Sequence, residues 1–348
     1  MKVFEGESLE KLYPQIIEGL FEEGDEVSPR GMLTKEITPA TIVLTNPRKR
    51  VISSPIRKLN YGFMVAELVW MLRGSDSVDE IAHYMSGWKN FSDDGVTLNG
   101  AYGKRIFNWD SGLHFDNNNG IHKEHVNQFR QAYEQLKKDK DSRQATIVIF
   151  DPNKDYKETK DKPCTNRLRF SIRKNKLNML VVMRSNDISK GSPYDIFNFT
   201  MMQEIMAGLL SDALNEDIEV GTYTHVADSL HMYSSDFEML ENVKNEEYTS
   251  IYDKVYDGRL IGLEEFNNTM RIVFKIEEKT RMNKEIELQE VCGMLNTINN
   301  EVWKSYAAVL ATYNFRKYRR NQKELDTLKQ YITNEFRPIF EERYNQLN

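Results

Sequence analysis

The chain has 348 residues, is 40% hydrophobic and 29% charged, and carries a formal charge of -6 at pH 7. That balance suits a soluble globular protein with a large core, and the net acidity excludes a general affinity for nucleic acid, which needs surplus Lys and Arg. Two cysteines far apart, Cys164 and Cys292, give no disulfide framework. Six histidines without HxxxH or HExxH spacing give no metal site, and no apolar run approaches the ~20 residues of a membrane span.

In chain order, MKVFEGESLEKLY lacks the apolar core of a signal peptide, so a cytoplasmic location is expected. YGFMVAELVWMLR predicts a short apolar helix over 61–73, ended by Gly74 and interrupted by one acid, Glu67. A second short helix is predicted over 79–88. The Asn, Asp and Gly of 89–120 predict a long loop, followed by a helix over 123–138 and a strand over 145–151. Residues 168–183 alternate apolar and polar on both sides of Lys174-Asn175, the pattern of a β-hairpin with one buried face. YDIFNFTMMQEIMAGLL over 194–210 is apolar nearly all round and predicts a central buried helix. Beyond about 245, Val302, Trp303, Tyr306, Leu310 and Tyr313 recur at helical spacing among Glu, Lys and Asn. The fold expected is α+β: a mixed sheet packed by helices over 1–245, then a helical extension over 246–348.

Cys164 is the first candidate for chemistry. A lone cysteine is commonly a small buried hydrophobe, but Arg143, Arg167 and Arg169 lie near it in sequence, and cations favour the nucleophilic thiolate. In RSNDISKGSPYD at 184–195, Arg184 and Ser185 end a strand with groups that suit an anion. Asp195 reads equally as the N-cap of the helix that follows. Glu67 inside an apolar helix is either paired or set to a task. His231 and Tyr233, two apart, would face one side of a strand, an arrangement that packing alone also explains.

Taken together these segments resemble thymidylate synthases and the related pyrimidine nucleotide hydroxymethylases. The resemblance runs through most of residues 28–240, in order: Pro29-Arg30-Gly31, AELVWMLRG at 66–74, Trp88 with Ala101-Tyr102-Gly103, Asp141-Ser142-Arg143, Pro163-Cys164, RSNDISKGSPYD, and GTYTHVADSLHMY at 221–233. It implies that Cys164 adds to C6 of a pyrimidine nucleoside monophosphate and makes C5 nucleophilic toward the one-carbon unit of 5,10-methylenetetrahydrofolate. Arg30, Arg184 and Ser185 would bind the 5′-phosphate, with Arg143 supplied by the partner subunit of a homodimer. His231 and Tyr233 would hold the ribose. Glu67 would manage protons near C4 and C5, with Tyr102 close to the thiol. Trp88, Asp187 and Gly191 would contact the folate.

The departures from that pattern bear on the reaction. Synthases acting on dUMP usually carry Asn where this chain has Asp195. An amide donates to O4 of uracil and accepts from N3–H, whereas a carboxylate only accepts, which suits the amino group of cytosine and its N3 once protonated. Phage dCMP hydroxymethylases carry Asp at the matching place, so dCMP is favoured over CMP or dUMP. Thr165 stands where synthases have His, Gln144 replaces a second Arg, Arg169 replaces a usual Gln, and the ending ERYNQLN lacks their short apolar tail. A different closure suits water addition, giving hydroxymethyl rather than methyl. The alternatives are methylation of dUMP or dCMP on the same residues, and a noncatalytic scaffold that uses the basic run Arg316, Lys317, Arg319 and Arg320.

Overall fold

The computed structural model describes residues 1–116, 120–247, 251–252, 254–333 and 336; the segment ERYNQLN falls outside them. The chain opens with β1 (Lys2–Gly6), α1 (Leu9–Glu23), β2 (Asp25–Val27), a 3-10 turn at Pro29–Gly31, β3 (Thr34–Ile37) and β4 (Ala40–Leu44). Next come α2 (Tyr61–Leu72), α3 (Val78–Ala82), α4 (Tyr102–Phe107), β5 (Trp109–Asp116), β6 (Gly120–Val126), α5 (Gln128–Lys138), β7 (Thr146–Val148) and α6 (Pro152–Asp155). β8 (Thr165–Arg173), β9 (Lys176–Met183), β10 (Asn186–Asp187), α7 (Ser192–Leu214), β11 (Glu219–Ala227), β12 (Leu230–Tyr233) and α8 (Phe237–Lys244) complete the part with sheets. Among the described residues four helices follow: α9 (Gly262–Met282), α10 (Leu288–Asn296), α11 (Glu301–Lys317) and α12 (Gln322–Lys329).

A six-stranded mixed sheet, ordered β1-β4-β11-β9-β8-β7, forms the frame, and a four-stranded sheet, β10-β12-β3-β2, stands beside it. The expected hairpin is β8–β9. Lys174 and Asn175 both take positive φ, 52° and 55°, which gives the two-residue turn the twist its strands need. Its inward residues Leu168, Phe170, Ile172, Leu177, Met179, Val181 and Met183 are all buried, and α7 packs on that face. The alternate residues Val43, Leu180, Val182 and Val226 are only half-buried, and Val148 is 45% exposed.

α2 and α7 are the two central helices. Every residue of α2 is buried except Glu67, and from Ser192 to Ser211 every residue of α7 is buried except Asp195. Within each of these stretches an acid is the one side chain that is only half-buried. The C-terminal helices join the same core. α11 packs on α2 and α9, Trp303 is fully buried and donates to the Gly258 carbonyl at 2.9 Å, and Tyr306 meets Phe197 of α7 with ring centres 5.6 Å apart. Arg73 at the end of α2 is paired with Glu277 of α9 at 2.7 Å.

Three local expectations are corrected. The long loop at 89–120 contains α4, β5 and the start of β6. The helix predicted from 123 begins only at Gln128, because 120–126 is strand. The short helix at 79–88 is α3 followed by a separate 3-10 turn at Ser86–Phe91. The β5–β6 ladder is held by backbone pairing between segments of loop-like composition, a bond pattern that side-chain periodicity does not encode.

Candidate active site

Cys164 sits at the entry to β8, half-buried and unpaired with Cys292. Its N–H and that of Thr165 both donate to the Tyr102 hydroxyl at 3.2 Å. Tyr102 reaches this point because α4 lies hard against α2. A Cβ on Gly103 would stand 2.3 Å from the Met71 carbonyl oxygen, so only glycine permits the approach. Arg184, just past β9, holds the other side. Its N–H donates to the Cys164 carbonyl at 2.9 Å and its guanidinium to the Pro163 and Lys162 carbonyls at 3.0 and 3.1 Å, leaving Nη2 3.6 Å from the sulfur.

Burial pushes the Cys164 thiol up, and Asp195 and Asp161 add to that; Arg184 and Arg30 pull it down without prevailing. This corrects the cationic neighbourhood expected from sequence. Arg167 is exposed, and Arg169 is paired in register with Thr146 and Leu180 in the six-stranded sheet. The cations that act on the thiol come from β9's end and from the turn before β3.

Glu67 and Asp195 lie on neighbouring helices. Asn198, one turn beyond Asp195, donates to Glu67 Oε2 at 2.7 Å, and Asn186 donates to Asp195 Oδ2 at 2.9 Å. Burial pushes Glu67 up to about 8, with the charge of Asp195 adding to the shift. Burial likewise pushes Asp195 up to about 7, against the Asn186 hydrogen bond. Two acids that hold protons near neutrality beside a cysteine are the grouping expected of acid–base chemistry. Buried Asn198 Oδ1 and Thr165 Oγ1 have no hydrogen-bond partner among the described residues, so polar capacity remains for a ligand.

The small sheet gathers the remaining candidates. β10 runs parallel to β12 with Asp187 opposite His231, and β12 pairs with β3, which follows Arg30. Arg30 takes φ 55°, a left-handed conformation that costs a non-glycine residue ~1 kcal/mol. His231 is buried with its ring edge-on to Tyr233, centres 5.2 Å apart, and Lys190 lies 5.1 Å over Tyr233. Asp187 accepts the N–H groups of Ser189 and Lys190 at 2.8 and 3.1 Å, and burial raises its pKa. Gly191 caps the start of α7, and a Cβ there would stand 3.4 Å from Asp195 Oδ2. Ser185 follows Arg184, half-buried. Trp88 forms an aromatic ledge with Phe63, Trp70 and Phe91, and Phe63 meets Tyr194 edge-on at 5.1 Å. Arg143 lies apart from this group: exposed on the α5–β7 connection, it lines a cleft of about 390 Å³ with Gln135, Lys138 and Ser142.

Sequence reasoning missed Asn198, Asn186 and His225. The signal was present for the first, a polar residue three after Asp195 in an apolar helix, and for His225, an inward position on a strand of otherwise apolar inward residues.

The sequence model of the thymidylate synthase family matches residues 11–253. A deoxyuridylate hydroxymethyltransferase of Bacillus phage SP01 is 38% identical over 240 residues, which cover 68% of this chain and 60% of that protein. A deoxyuridylate hydroxymethyltransferase of Delftia phage PhiW-14 is 30% identical over 219 residues, 59% of this chain and 55% of its own length. Thymidylate synthase 1 of Bacillus spizizenii is 26% identical over 265 residues, 71% of this chain and 92% of that enzyme. The chain therefore spans little more than half the length of the two phage proteins. A family match over residues 11–253, which contain every residue of the group gathered around Cys164, establishes that the chain belongs to the thymidylate synthase family.

Proposed function

We propose that this chain hydroxymethylates C5 of a cytidine monophosphate, dCMP before CMP. The observation that carries the reading is Asp195, an acid that opens toward the same pocket as Cys164 and Glu67, with one oxygen already accepting from Asn186. Ionised, it offers only acceptors, and these match the amino group at C4 and a protonated N3.

Cys164, its thiol proton passed to a base, would form a bond to C6; the C5–C6 pair would shift to C5–C4 and the C4–N3 pair onto N3, which takes up a proton, so that N3–H and the C4 amino group donate to ionised Asp195. Glu67, protonated up to about pH 8, can give and take protons in that pocket. Arg184 and Arg30 supply positive charge beside the thiol that a substrate phosphate would share, with Ser185, His231 and Tyr233 for phosphate and ribose. Trp88 and Phe91, whose rings meet edge-on with centres 6.0 Å apart, offer aromatic faces for a fused heterocycle, and Asp187 and Gly191 would be its polar contacts. When bound there, 5,10-methylenetetrahydrofolate supplies a one-carbon unit at the oxidation level of formaldehyde. Addition of water gives hydroxymethyl and tetrahydrofolate; hydride transfer would give methyl and dihydrofolate. Two relatives named as hydroxymethyltransferases support the first.

A second reading, dUMP as substrate, is favoured by those relatives' names and by the protonation of Asp195 near neutral pH. A neutral carboxylic acid can donate to O4 as well as accept. The test is turnover of each nucleotide with methylenetetrahydrofolate, read by product mass and dihydrofolate absorbance. Hydroxymethyl-dCMP without dihydrofolate is expected, and Asp195→Asn should move preference toward dUMP. Preference for dUMP by the unaltered enzyme would overturn the cytosine reading.

The half-exposed apolar face of the six-stranded sheet supports a homodimer, and exposed Arg143 suits a contribution to the partner's phosphate site. All the proposed reacting groups fall in 1–245, with 246–348 as a helical buttress. A cytoplasmic, reducing setting suits a free nucleophilic thiol.

A further inference from the structure

Asp195 is held from behind by a chain of buried polar groups that the proposed reaction does not use. Asn186 Nδ2 donates to Asp195 Oδ2 at 2.9 Å. On its other side, Asn186 Oδ1 accepts the Ser192 hydroxyl, which also faces the Asp187 carbonyl at 3.1 Å, and lies 3.2 Å from His225 Nε2. His225 Nδ1 in turn lies 2.8 Å from the Tyr223 hydroxyl. Asn186, Ser192, His225 and Tyr223 are all buried.

The donor sense of this chain follows from the Asn186 amide, whose nitrogen faces Asp195 and whose oxygen faces His225. Burial holds His225 down to about 3, so its ring is neutral and carries one proton. An amide oxygen only accepts, so that proton sits on Nε2, and bare Nδ1 takes the Tyr223 O–H. The amide oxygen of Asn186 is then occupied by Ser192 and His225, and its NH2 is turned to Asp195. Each link fixes the next, and the last link presents a donor to the acid.

We infer that His225 and Asn186 form a relay, fixed in direction by Tyr223 and Ser192, whose function is to hold Asp195 as an acceptor and so to set which pyrimidine base the pocket reads. Both are positioning residues, since they act through Asp195. The inference rests on the cytosine reading for its consequence, but not for the state of Asp195 itself. The other groups facing Asp195 oppose its ionisation or are neutral: Glu67 from α2, Tyr102 from α4, Cys164 at the start of β8, Asp187 from β10 and Tyr223 from β11. Asn186 is the neighbour that favours the carboxylate. Without the relay the acid would hold its proton to higher pH, and its O–H could satisfy O4 of uracil.

Two readouts test this in the full-length protein. The first is the titration of the Asp195 carboxyl carbon by NMR in protein labelled at aspartate, assigned by its loss in Asp195→Asn. Asn186→Ala and His225→Leu should each move the midpoint upward, Asn186→Ala by about one pH unit, or a roughly tenfold lower ratio of carboxylate to acid at a given pH. His225→Gln, which keeps a donor at the Nε2 position, should restore the midpoint. The second readout is the ratio of kcat/KM for dCMP and dUMP against pH, in which Asn186→Ala should lose dCMP preference roughly tenfold near neutrality. An unchanged midpoint in folded Asn186→Ala would overturn the relay, whatever the substrate. A raised midpoint with an enzyme that prefers dUMP throughout would leave the relay standing and sink the cytosine reading. Equal losses for both nucleotides, with no shift of midpoint, would mean that Asn186 merely supports the fold.

Discussion

At the scale of single residues, the pocket is built around two acids that burial makes reluctant to ionise. Asp195 and Glu67 have folded values of about 7 and 8 against ordinary values near 4. Between those limits the native chain holds more protons than the unfolded one, so native stability falls as pH rises from about 4 to about 8. Asp195→Asn removes one share of that loss. It should stabilise the protein little at pH 4 and by on the order of 4 kcal/mol above pH 7, which thermal unfolding across pH would detect. An equal gain at both pH values would contradict the burial argument. Tyr102→Phe leaves the N–H groups of Cys164 and Thr165 without their shared acceptor. The expected result is a fall in kcat of roughly ten- to a hundredfold with nearly unchanged KM for nucleotide, because the thiol rather than the binding groups loses its seat. The individual side chains that converge here, Cys164, Glu67, Tyr102, Arg184 and Asp195, were legible in the sequence because unusual residue types interrupt apolar runs or repeat a known pattern. Which arginines face the sulfur was not legible from nearness in the chain, although the resemblance had set Arg30 and Arg184 at the phosphate site. Arg167 and Arg169 are near in sequence but belong to a strand that carries them elsewhere, while Arg30 arrives from more than a hundred residues away.

Among the elements, α2 and α7 were the most readable, since a helix buried all round needs no knowledge of its neighbours to be recognised. The β8–β9 hairpin was readable for the complementary reason, strict alternation about a short turn. The β5–β6 pair and α4 were not, because Asn, Asp and Gly dominate the segment and the ladder is made by backbone groups. α4 nonetheless controls the site through its contact with α2. Gly103→Ala would put a methyl group against the Met71 carbonyl and push α4 outward. A loss of ~1–3 kcal/mol in urea unfolding is expected, as for other overpacked sites, together with loss of activity out of proportion to the unfolded fraction. Normal activity in Gly103→Ala would show that Tyr102 does not depend on this packing.

For the whole molecule, the decisive question is whether one chain makes a complete site. Arg143 is exposed on the α5–β7 connection, and the outer face of the large sheet carries Leu180, Val182 and Val226 half-buried. If two copies join there and exchange Arg143, mixing the inactive variants Cys164→Ser and Arg143→Ala should recover about a quarter of the wild-type activity after subunit exchange, because half the dimers are mixed and each has one intact site. No recovery, with exchange verified by mass, would refute the shared site.

The packing of α11 against α2 has a consequence for how the protein is made. The helix that carries Glu67 is complete once residue 72 has been synthesised, but the surface it leans on is encoded in Glu301–Lys317. During translation the apolar back of α2 must wait through more than two hundred further residues before its cover emerges. At ~5–20 residues per second that is an interval of roughly ten seconds or more, in which a nascent chain with an unclosed core is open to chaperones and to aggregation.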